Sequence, residues 1–351
     1  MIPGADSDIG LQHRKDRNGG FIRAKFQQRH CMDILIVKLG ALGDVVNTLP
    51  LAVRLHRKLN ARIHWLIEPL SCPIVAHHPC VAHAIVFDRS RWGPAAATVA
   101  KQIRSRRFDA VLDLQRTLKS GAFAMLARTR RRIGFDRDRC KEMTWLLPFD
   151  RIPPSEPTAH MVHQYLEFAG YLGAPGEEIQ WDIAGGQPPP RALPPGYGVL
   201  NIGATKPANR WPQARWAALA EALWEQLRLP CVVTGGKEDV PEAERIQAKA
   251  PPGLVNLAGQ TRIGELVHVL QNASVVVTCD TGPMHLAVAL DTPVVALFGP
   301  SDPRRTGPFK GRVIKASADC APCNRKTCPD PVCMRHIGPQ AVVEQVKVLL
   351  Q

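Results

Sequence analysis

From residue 33 onward the hydrophobic positions alternate between two patterns. Short apolar runs are typical of buried strands, and longer stretches with apolar residues every three or four positions are typical of helices. In the first half the predicted strands are 34–37, 63–67, 84–87 and 110–114, and the first predicted helix is 44–59. Strands that alternate with helices in this way indicate right-handed βαβ units and a parallel sheet covered by helices.

A segment rich in proline and glycine interrupts the pattern, with the letters GGQPPP at 185–190 and PP at 194–195. Such a segment continues neither a helix nor a central strand, so we interpret it as a domain linker. The alternation then resumes. Its predicted strands are 198–202, 231–234, 274–278 and 294–298, and its predicted helices are 214–226, 242–249, 263–272, 284–290 and 339–350.

These patterns predict an α/β protein with two doubly wound, Rossmann-like parallel-sheet domains that face each other. Ligands of such sheets bind at the carboxyl ends of the strands, so we expect an interdomain cleft. The predicted boundaries are 32–184 for the first domain, 185–197 for the linker and 198–351 for the second. Residues 1–31 are polar and without pattern, which suggests a disordered tail or a start codon assigned too far upstream.

Composition narrows the choice of partner. The formal net charge of +14 favours an anionic partner, such as a phosphorylated substrate, a lipid surface or nucleic acid. No nucleic-acid-binding motif is present and only 6% of residues are aromatic, so we expect no nucleic-acid partner. No stretch approaches the roughly 20 apolar residues of a membrane-spanning helix. The N-terminus lacks the apolar core of a secretion signal, which predicts a cytoplasmic protein.

The first candidate site is the segment KLGALGD at 38–44, which joins a strand to a helix. Asp44 falls at or near the start of the helix, and a carboxylate at the rim of a cleft could serve as a general base. The alternative is that Asp44 only caps the helix, as aspartate often does. The glycine spacing does not match the dinucleotide-binding pattern G-x-G-x-x-G.

The second candidate site is the segment CDTGPMH at 279–285, which follows an apolar strand and opens a short helix. Backbone N–H groups at the start of a helix form an anion site, and a nucleotide-sugar diphosphate would fit there. The candidate donor-binding residues are Asp280, Thr281, Gly282 and His285. The alternative is an ordinary helix start that Asp280 caps and beneath which His285 packs.

Two further loops follow strands of the second half. Lys206 and Arg210 lie in the segment 203–212, where they could hold phosphate oxygens. Glu238, in the segment GGKED at 235–239, could accept a hydrogen bond from a ribose hydroxyl. The alternative for the first loop is an exposed turn that carries two positive charges.

Four of the 10 cysteines lie within one short stretch. They are Cys320, Cys323, Cys328 and Cys333. Thiols at such spacing could hold a structural zinc ion. Free thiols and a redox-dependent crosslink are the alternatives.

Taken together, these segments resemble the heptosyltransferases of glycosyltransferase family 9, which build the inner core of lipopolysaccharide. The segments that carry the resemblance are ILIVK at 34–38, GDVVNTLP at 43–50, DTGPMHLA at 280–287 and FGPSDP at 298–303. The segments 113–115, 118–120 and 133–136 are similar to the acceptor half of the enzyme that adds the first heptose. The chain departs from the family at Arg116 and Thr117, where a Gly-Leu-like pair is expected.

The resemblance implies a GT-B fold that binds an anionic lipopolysaccharide-core acceptor, Kdo-lipid A or a related one, in the first domain and ADP-heptose in the second. It implies an inverting transfer without a catalytic metal or other cofactor, with Asp44 as the general base. It assigns Arg210 to the donor phosphates, and Lys119 and Arg132 are candidates for anionic groups of the acceptor. We expect a monomer that contacts the inner membrane surface. The alternatives are a sugar-nucleotide epimerase of the same form and a non-catalytic protein that binds anions or nucleic acid.

Overall fold

The structure is a computed structural model, and it describes residues 31–351. Apart from Cys31, the predicted tail lies outside the described residues. The first half contains six strands: β1 (Asp33–Val37), β2 (Arg62–Ile67), β3 (Val81–Val86), β4 (Ala110–Asp113), β5 (Arg132–Gly134) and β6 (Asp150–Arg151). Its helices are α1 (Leu42–Leu59), α2 (Cys72–Ala76), α3 (Trp92–Arg104), α4 (Leu118–Leu126) and α5 (Met161–Tyr171).

The second half also contains six strands. They are β7 (Gly198–Asn201), β8 (Cys231–Thr234), β9 (Val255–Asn256), β10 (Val275–Cys279), β11 (Val294–Phe298) and β12 (Arg312–Lys315). Its helices are α6 (Gln213–Leu227), α7 (Val240–Gln247), α8 (Ile263–Gln271), α9 (Gly282–Ala289), α10 (Pro303–Thr306), α11 (Val332–His336) and α12 (Pro339–Leu350).

All pairings within the two sheets are parallel, and the two strand orders correspond. The first sheet runs β3-β2-β1-β4-β5-β6 and the second β12-β11-β10-β7-β8-β9. This is the doubly wound arrangement, and it confirms the predicted fold class. The central strands β10 and β11 are buried along their whole length, as expected for strands that helices cover on both faces.

The hydrophobic pattern did not predict four of the strands in residues 31–351, namely β5, β6, β9 and β12. The first three contain only two or three residues, too few to show a periodic pattern. β12 lies at a sheet edge, and most of its residues are exposed. Helix α1 begins at Leu42 with Ala41 as its N-cap, so Asp44 lies inside the first turn and is not the cap.

The fold brings the functional loops of the two halves together. In each sheet, successive strands are added first to one side and then to the other. The change of side falls between β1 and β4 in the first sheet and between β10 and β7 in the second. Loops that leave these strands border the crevice where ligands bind in such folds. Helix α1 packs against α9, so the loop after β1 meets the loop after β10. The segment 172–197, which includes the predicted linker, contains no helix or strand.

Candidate active site

The carboxylate of Asp44 is held by two buried partners. Lys38, the residue after β1, places its Nζ 2.8 Å from Oδ2 of Asp44, and the Tyr165 hydroxyl on α5 donates to Oδ1 at 3.4 Å. Only 2% of the Lys38 side chain is exposed, whereas 40% of the Asp44 side chain is exposed. The site therefore fixes the carboxylate from the protein side and leaves it accessible from the cleft.

Electrostatics keep Asp44 ionised. Burial alone would raise its pKa, but the charge and hydrogen bond of Lys38, together with the charge of Arg116, hold the pKa below its ordinary value. Burial works against the ammonium of Lys38 as well, and the charge of Asp44 keeps the pKa of Lys38 above its usual range. At neutral pH the pair is therefore a carboxylate beside an ammonium, and Asp44 is ready to accept a proton.

His285 on α9 faces the first turn of α1. A β-carbon on Gly43 would lie 2.4 Å from Cδ2 of His285, so glycine is required for this close approach of the two helices. Burial lowers the pKa of His285 to about 4. The imidazole is therefore neutral at physiological pH, and it lies at the contact between the two halves.

Asp280 is fixed at the carboxyl end of β10 by neighbouring loops. The side-chain amide of Asn209 donates to Oδ2 of Asp280 at 3.2 Å and to the hydroxyl of Ser301 at 3.2 Å. Burial raises the pKa of Asp280, although the hydrogen bond from Ser301 and the charge of Lys206 act in the opposite direction. Three separate loops of the second half therefore meet at this carboxylate.

Among the residues that the structure describes, no side chain caps the backbone donors at the start of α9. Thr281 is the N-cap, and its side chain accepts no hydrogen bond from the first turn. The Thr281 hydroxyl instead lies 3.4 Å from the amide of Asn201, the last residue of β7. The N–H groups that begin at Gly282 are thus free to bind an anion at the positive end of the helix dipole.

The sequence profile described as glycosyltransferase family 9 (heptosyltransferase) matches residues 96–333. Lipopolysaccharide heptosyltransferase 1 of Pseudomonas aeruginosa is 31% identical over 355 residues, which cover 91% of this chain and 98% of that protein. The chain belongs to glycosyltransferase family 9. The enzyme of the same name from Escherichia coli K12 is 27% identical and covers 79% of this chain and 91% of its own.

Solved heptosyltransferases share the fold of this family 9 chain. An E. coli heptosyltransferase with ADP has a TM-score of 0.75 at 24% identity, covering 91% of this chain and all of that one. E. coli ADP-heptose lipopolysaccharide heptosyltransferase II has a TM-score of 0.71 at 24% identity, covering 91% and 98%. These similarities confirm the predicted GT-B architecture.

Lys206 follows strand β7 and Glu238 follows strand β8, on the side of the sheet where α9 begins. Lys206 directly precedes the short turn 207–209, whose Asn209 donates to Asp280, and the charge of Lys206 acts to lower the pKa of Asp280. Glu238 is exposed, and its carboxylate folds back over Gly236, where a β-carbon would lie 2.6 Å from Oε2. Both predicted residues are therefore near the carboxyl edge of the second sheet.

Arg210 is already paired in the structure. Its guanidinium forms ion pairs with the buried Asp239 and, at 3.1 Å, with Glu242. Asp239 also accepts a hydrogen bond from the N–H of Gly236 at 2.7 Å. Arg210 thus connects its own loop to the segment after β8. A donor phosphate that contacts Arg210 would compete with two carboxylates for the guanidinium.

The two candidates for the acceptor have different positions. Lys119, at the start of α4, lies 3.4 Å from Glu68 and 5.5 Å from the ring centre of Phe87, at the carboxyl edge of the first sheet. Arg132 begins β5 at the opposite edge and donates to the carbonyls of Ala124 and Ala127 at 3.1 and 2.7 Å. The structure does not bring Arg132 to the site, because its side chain satisfies the carbonyls at the end of α4.

The cysteine loop contacts the donor loops, and the zinc site that its spacing allowed is not formed within the described residues. Within residues 31–351, no three His, Cys, Asp or Glu side chains are grouped so that they could hold a metal ion. All four cysteines are free thiols, with Cys320 exposed and Cys333 buried. The loop contacts the donor side through the N–H of Ala208, which donates to Lys326, and that of Asn324, which donates to Pro300.

Sequence reasoning missed Tyr165, Lys38 and Asn209. Tyr165 is 121 positions from Asp44, and nothing local marks it. Lys38 had a usable signal, because a lysine that directly follows the buried apolar run 34–37 is expected to be buried with a partner. Asn209 adjoins Arg210 in the loop already considered, but its role depends on contacts with Asp280 and Ser301.

Proposed function

We propose that this chain is an inverting glycosyltransferase, which transfers heptose from ADP-heptose to an anionic acceptor of the lipopolysaccharide inner core, Kdo-lipid A or a related one. The observation that carries the proposal is the ionised, partly exposed Asp44 beside the α1–α9 contact. The names of its relatives support the sugar: the Pseudomonas relative is a lipopolysaccharide heptosyltransferase, and a solved E. coli heptosyltransferase contains ADP-2-deoxy-2-fluoro heptose.

In this reaction Asp44 is the general base. It takes the proton of an acceptor hydroxyl while the hydroxyl oxygen forms a bond to the anomeric carbon of the donor. The bond from that carbon to the phosphate oxygen breaks on the opposite face, and ADP leaves with the electron pair. A single displacement of this kind inverts the anomeric configuration.

The donor end of the site stabilises the leaving diphosphate. We assign the stabilisation of its negative charge to the N–H groups that begin at Gly282 and to the ammonium of Lys206. Asp280 and His285 hold the loop in place, and Glu238 is available for a ribose hydroxyl. In this proposal residues 198–351 bind the donor, residues 32–184 bind the acceptor, and residues 185–197 link them.

On the acceptor side, Lys119 remains the candidate for an anionic acceptor group. Its ammonium lies at the carboxyl edge of the first sheet, the edge to which Asp44 also belongs. Arg132 has no part in this proposal, because its guanidinium donates to the carbonyls of Ala124 and Ala127. The proposed enzyme is a cytoplasmic monomer that uses no cofactor besides its donor, and no residue of the cysteine loop takes part in the transfer.

ADP release from ADP-heptose, measured with and without a heptose-free core acceptor, tests this function. We expect release to depend on the acceptor, to be insensitive to EDTA, and to fall about 10²-fold or more in Asp44→Ala. Asp319→Ala, which removes an exposed carboxylate elsewhere, is the matched control. Conversion of ADP-heptose without acceptor and without ADP release would instead favour an epimerase.

We also propose that the acceptor side contacts an anionic membrane surface. None of the helices within residues 31–351 is both long and apolar enough to cross a bilayer. Apolar side chains that are 51–59% exposed follow strands β3, β4 and β5, on the same edge as Asp44: Trp92, Leu118, Met143 and Leu146. The ammonium of Lys119 lies 5.9 Å from the Trp92 ring centre, so a cationic group lies beside an exposed aromatic ring, a combination found at membrane-interface surfaces.

Co-sedimentation with vesicles tests this contact. We expect binding to vesicles that contain phosphatidylglycerol, weaker binding to pure phosphatidylcholine, and loss of binding in Trp92→Ser combined with Leu146→Ser. Val348→Ser, which changes an exposed apolar residue on α12, is the control. Equal binding of the double variant would disprove this assignment of the surface.

A further inference from the structure

Arg116 is a buried cation without a carboxylate partner in the described part of the chain. It is only 7% exposed, and its Nε has no hydrogen-bond partner among residues 31–351. Its Nη1 donates to the carbonyl of Arg139 at 3.3 Å, and its guanidinium carbon lies 4.8 Å from the ring centre of Phe135. No ion pair of residues 31–351 includes Arg116. Since an unpaired buried charge is costly, such a group is expected to meet an anion when the protein functions.

The backbone at Arg116 is held in a conformation that favours glycine. Its φ is +64°, in the left-handed region that L side chains disfavour. The carboxylate of Asp113 stabilises this turn by accepting hydrogen bonds from the N–H groups of Gln115 at 3.2 Å and Arg116 at 3.4 Å. A glycine would adopt the turn without strain, so the cost of a large charged side chain here indicates that the side chain is used.

Other cations without ion-pair partners in residues 31–351 lie around Arg116. Lys141 lies in the loop after β5, two residues beyond Arg139, whose carbonyl accepts the hydrogen bond from Arg116. Arg305 lies on α10 of the second half, which meets the first half where Nε2 of His160 lies 2.9 Å from the carbonyl oxygen of Gly307. The charge of Arg305 acts on Arg116, and the charges of Arg116 and Arg305 act on Lys141. Asp44 is also close enough for its charge to influence Arg116. The cationic cluster therefore lies beside the proposed base and draws members from both halves of the molecule.

We infer that Arg116, Lys141 and Arg305 form a subsite that binds an oxyanion of the acceptor beside Asp44. The inference rests on the proposed function and deepens it, because it identifies what would select an anionic acceptor. A carboxylate or a phosphate would pair with the fork of Arg116 donors. Since Arg305 belongs to the second half, the same anion would favour a closed arrangement of the two halves around the reacting groups.

Calorimetric binding of acceptor to the ADP-saturated protein tests this subsite without turnover. The variants are Arg116→Gly, which suits the backbone, Arg116→Lys, which retains a charge, and Arg130→Gly, which removes an exposed arginine as the control. We expect Arg116→Gly to bind a de-O-acylated Kdo-lipid A acceptor at least tenfold more weakly, with Arg116→Lys in between and the control unchanged. Equal acceptor affinity in Arg116→Gly and wild type would overturn the proposal.

Modified acceptors identify the anion. If the subsite takes a carboxylate, a carboxamide derivative loses affinity for wild type but binds Arg116→Gly as well as the parent acceptor does. If it takes a phosphate, the dephosphorylated acceptor shows this pattern instead. A full loss of affinity for each derivative in both proteins would place the recognised anion elsewhere.

A second measurement needs no acceptor and separates failure of the subsite from failure of the proposed function. Inorganic phosphate is titrated into the ADP-saturated protein at constant ionic strength, and Tm is recorded. We expect phosphate to raise the Tm of wild type and the control by several degrees more than that of Arg116→Gly. If no acceptor binds wild type but this difference is present, the subsite stands and the proposed acceptor is wrong. The same Tm shift in wild type and Arg116→Gly would refute the subsite whatever the acceptor.

Discussion

The ammonium of Lys38 lies 2.8 Å from the carboxylate of Asp44, and the lysine is almost wholly buried while the aspartate is partly exposed. The five residues between them carry the chain from the end of β1 into the first turn of α1. This pairing explains how a carboxylate next to a protein core stays ionised. It also means that the basicity of Asp44 is set by a residue whose side chain is buried away from solvent, which makes Lys38 a positioning residue.

Replacement of Lys38 by methionine should therefore change the pH dependence of the rate. In wild type the pKa of Asp44 lies below 3.8, so the base stays ionised from pH 5 to 8 and its titration produces no acid limb there. In Lys38→Met burial is no longer opposed by the lysine, the pKa of Asp44 rises, and kcat falls as the pH is lowered. The kcat profile of ADP release between pH 5 and 9 measures this shift, and Lys249→Met is an exposed control. Parallel profiles for wild type and Lys38→Met would show that Lys38 does not set the basicity of Asp44.

A methyl group at Gly43 should separate the two halves of the site. The new β-carbon would lie 2.4 Å from His285, so we expect Gly43→Ala to lower Tm and to reduce kcat/KM at least tenfold. At Gly93, in α3, a β-carbon meets no atom within 4 Å, and Gly93→Ala should keep full activity and gain about 0.4–1 kcal/mol of stability. Thermal melts and initial rates of both variants check this prediction. Normal activity in Gly43→Ala would mean that the α1–α9 approach is not needed for catalysis.

Removal of Arg210 should affect stability as well as the donor. Arg210→Ala leaves the buried Asp239 without its cation, so we expect a loss of about 2 kcal/mol in the free energy of unfolding, together with weaker ADP binding. Adding Asp239→Asn should recover part of the stability but not the ADP affinity. Denaturant titrations and ADP calorimetry separate the two effects. An unchanged dissociation constant for ADP in Arg210→Ala would exclude a contact between Arg210 and the donor.

Asp113 should make the protein less stable at neutral pH than at mildly acidic pH. Burial raises its pKa to about 6, against 3.8 for an ordinary aspartate, so the folded state binds the proton more tightly than the unfolded state. The contribution of Asp113 to stability thus falls as the pH rises from about 4 to 6, and above pH 6 the cost is about 3 kcal/mol. We expect Asp113→Asn to be more stable than wild type at pH 7.5, with a difference that shrinks towards pH 4.

Urea unfolding at several pH values measures this difference. Asp150→Asn, at an exposed position, is the control and should show no such pH dependence. A constant difference between Asp113→Asn and wild type from pH 4 to 7.5 would contradict the raised pKa of Asp113.

The sequence determined the architecture and the places where chemistry occurs. The long central strands and the helices between them have a hydrophobic periodicity of their own. This periodicity depends only on neighbouring residues, so it is visible in the amino-acid sequence. Asp44, Asp280 and His285 could be found for a related reason, because each follows a strand at the edge where parallel sheets bind ligands. Strands of two or three residues, such as β6 and β9, contain too few positions to show any period.

Only the tertiary structure decided which side chains cooperate. Tyr165 reaches Asp44 from a helix 121 positions away, and Arg210 finds Asp239 and Glu242 rather than open solvent. Arg132 points to the carbonyls that end α4, although its position in the sequence allowed a place in the cleft. Such contacts depend on the packing of distant elements, and packing sets both the burial of a charge and its distance from an opposite charge. For that reason the strength of Asp44 as a base and the unpaired state of Arg116 appear only in the folded chain.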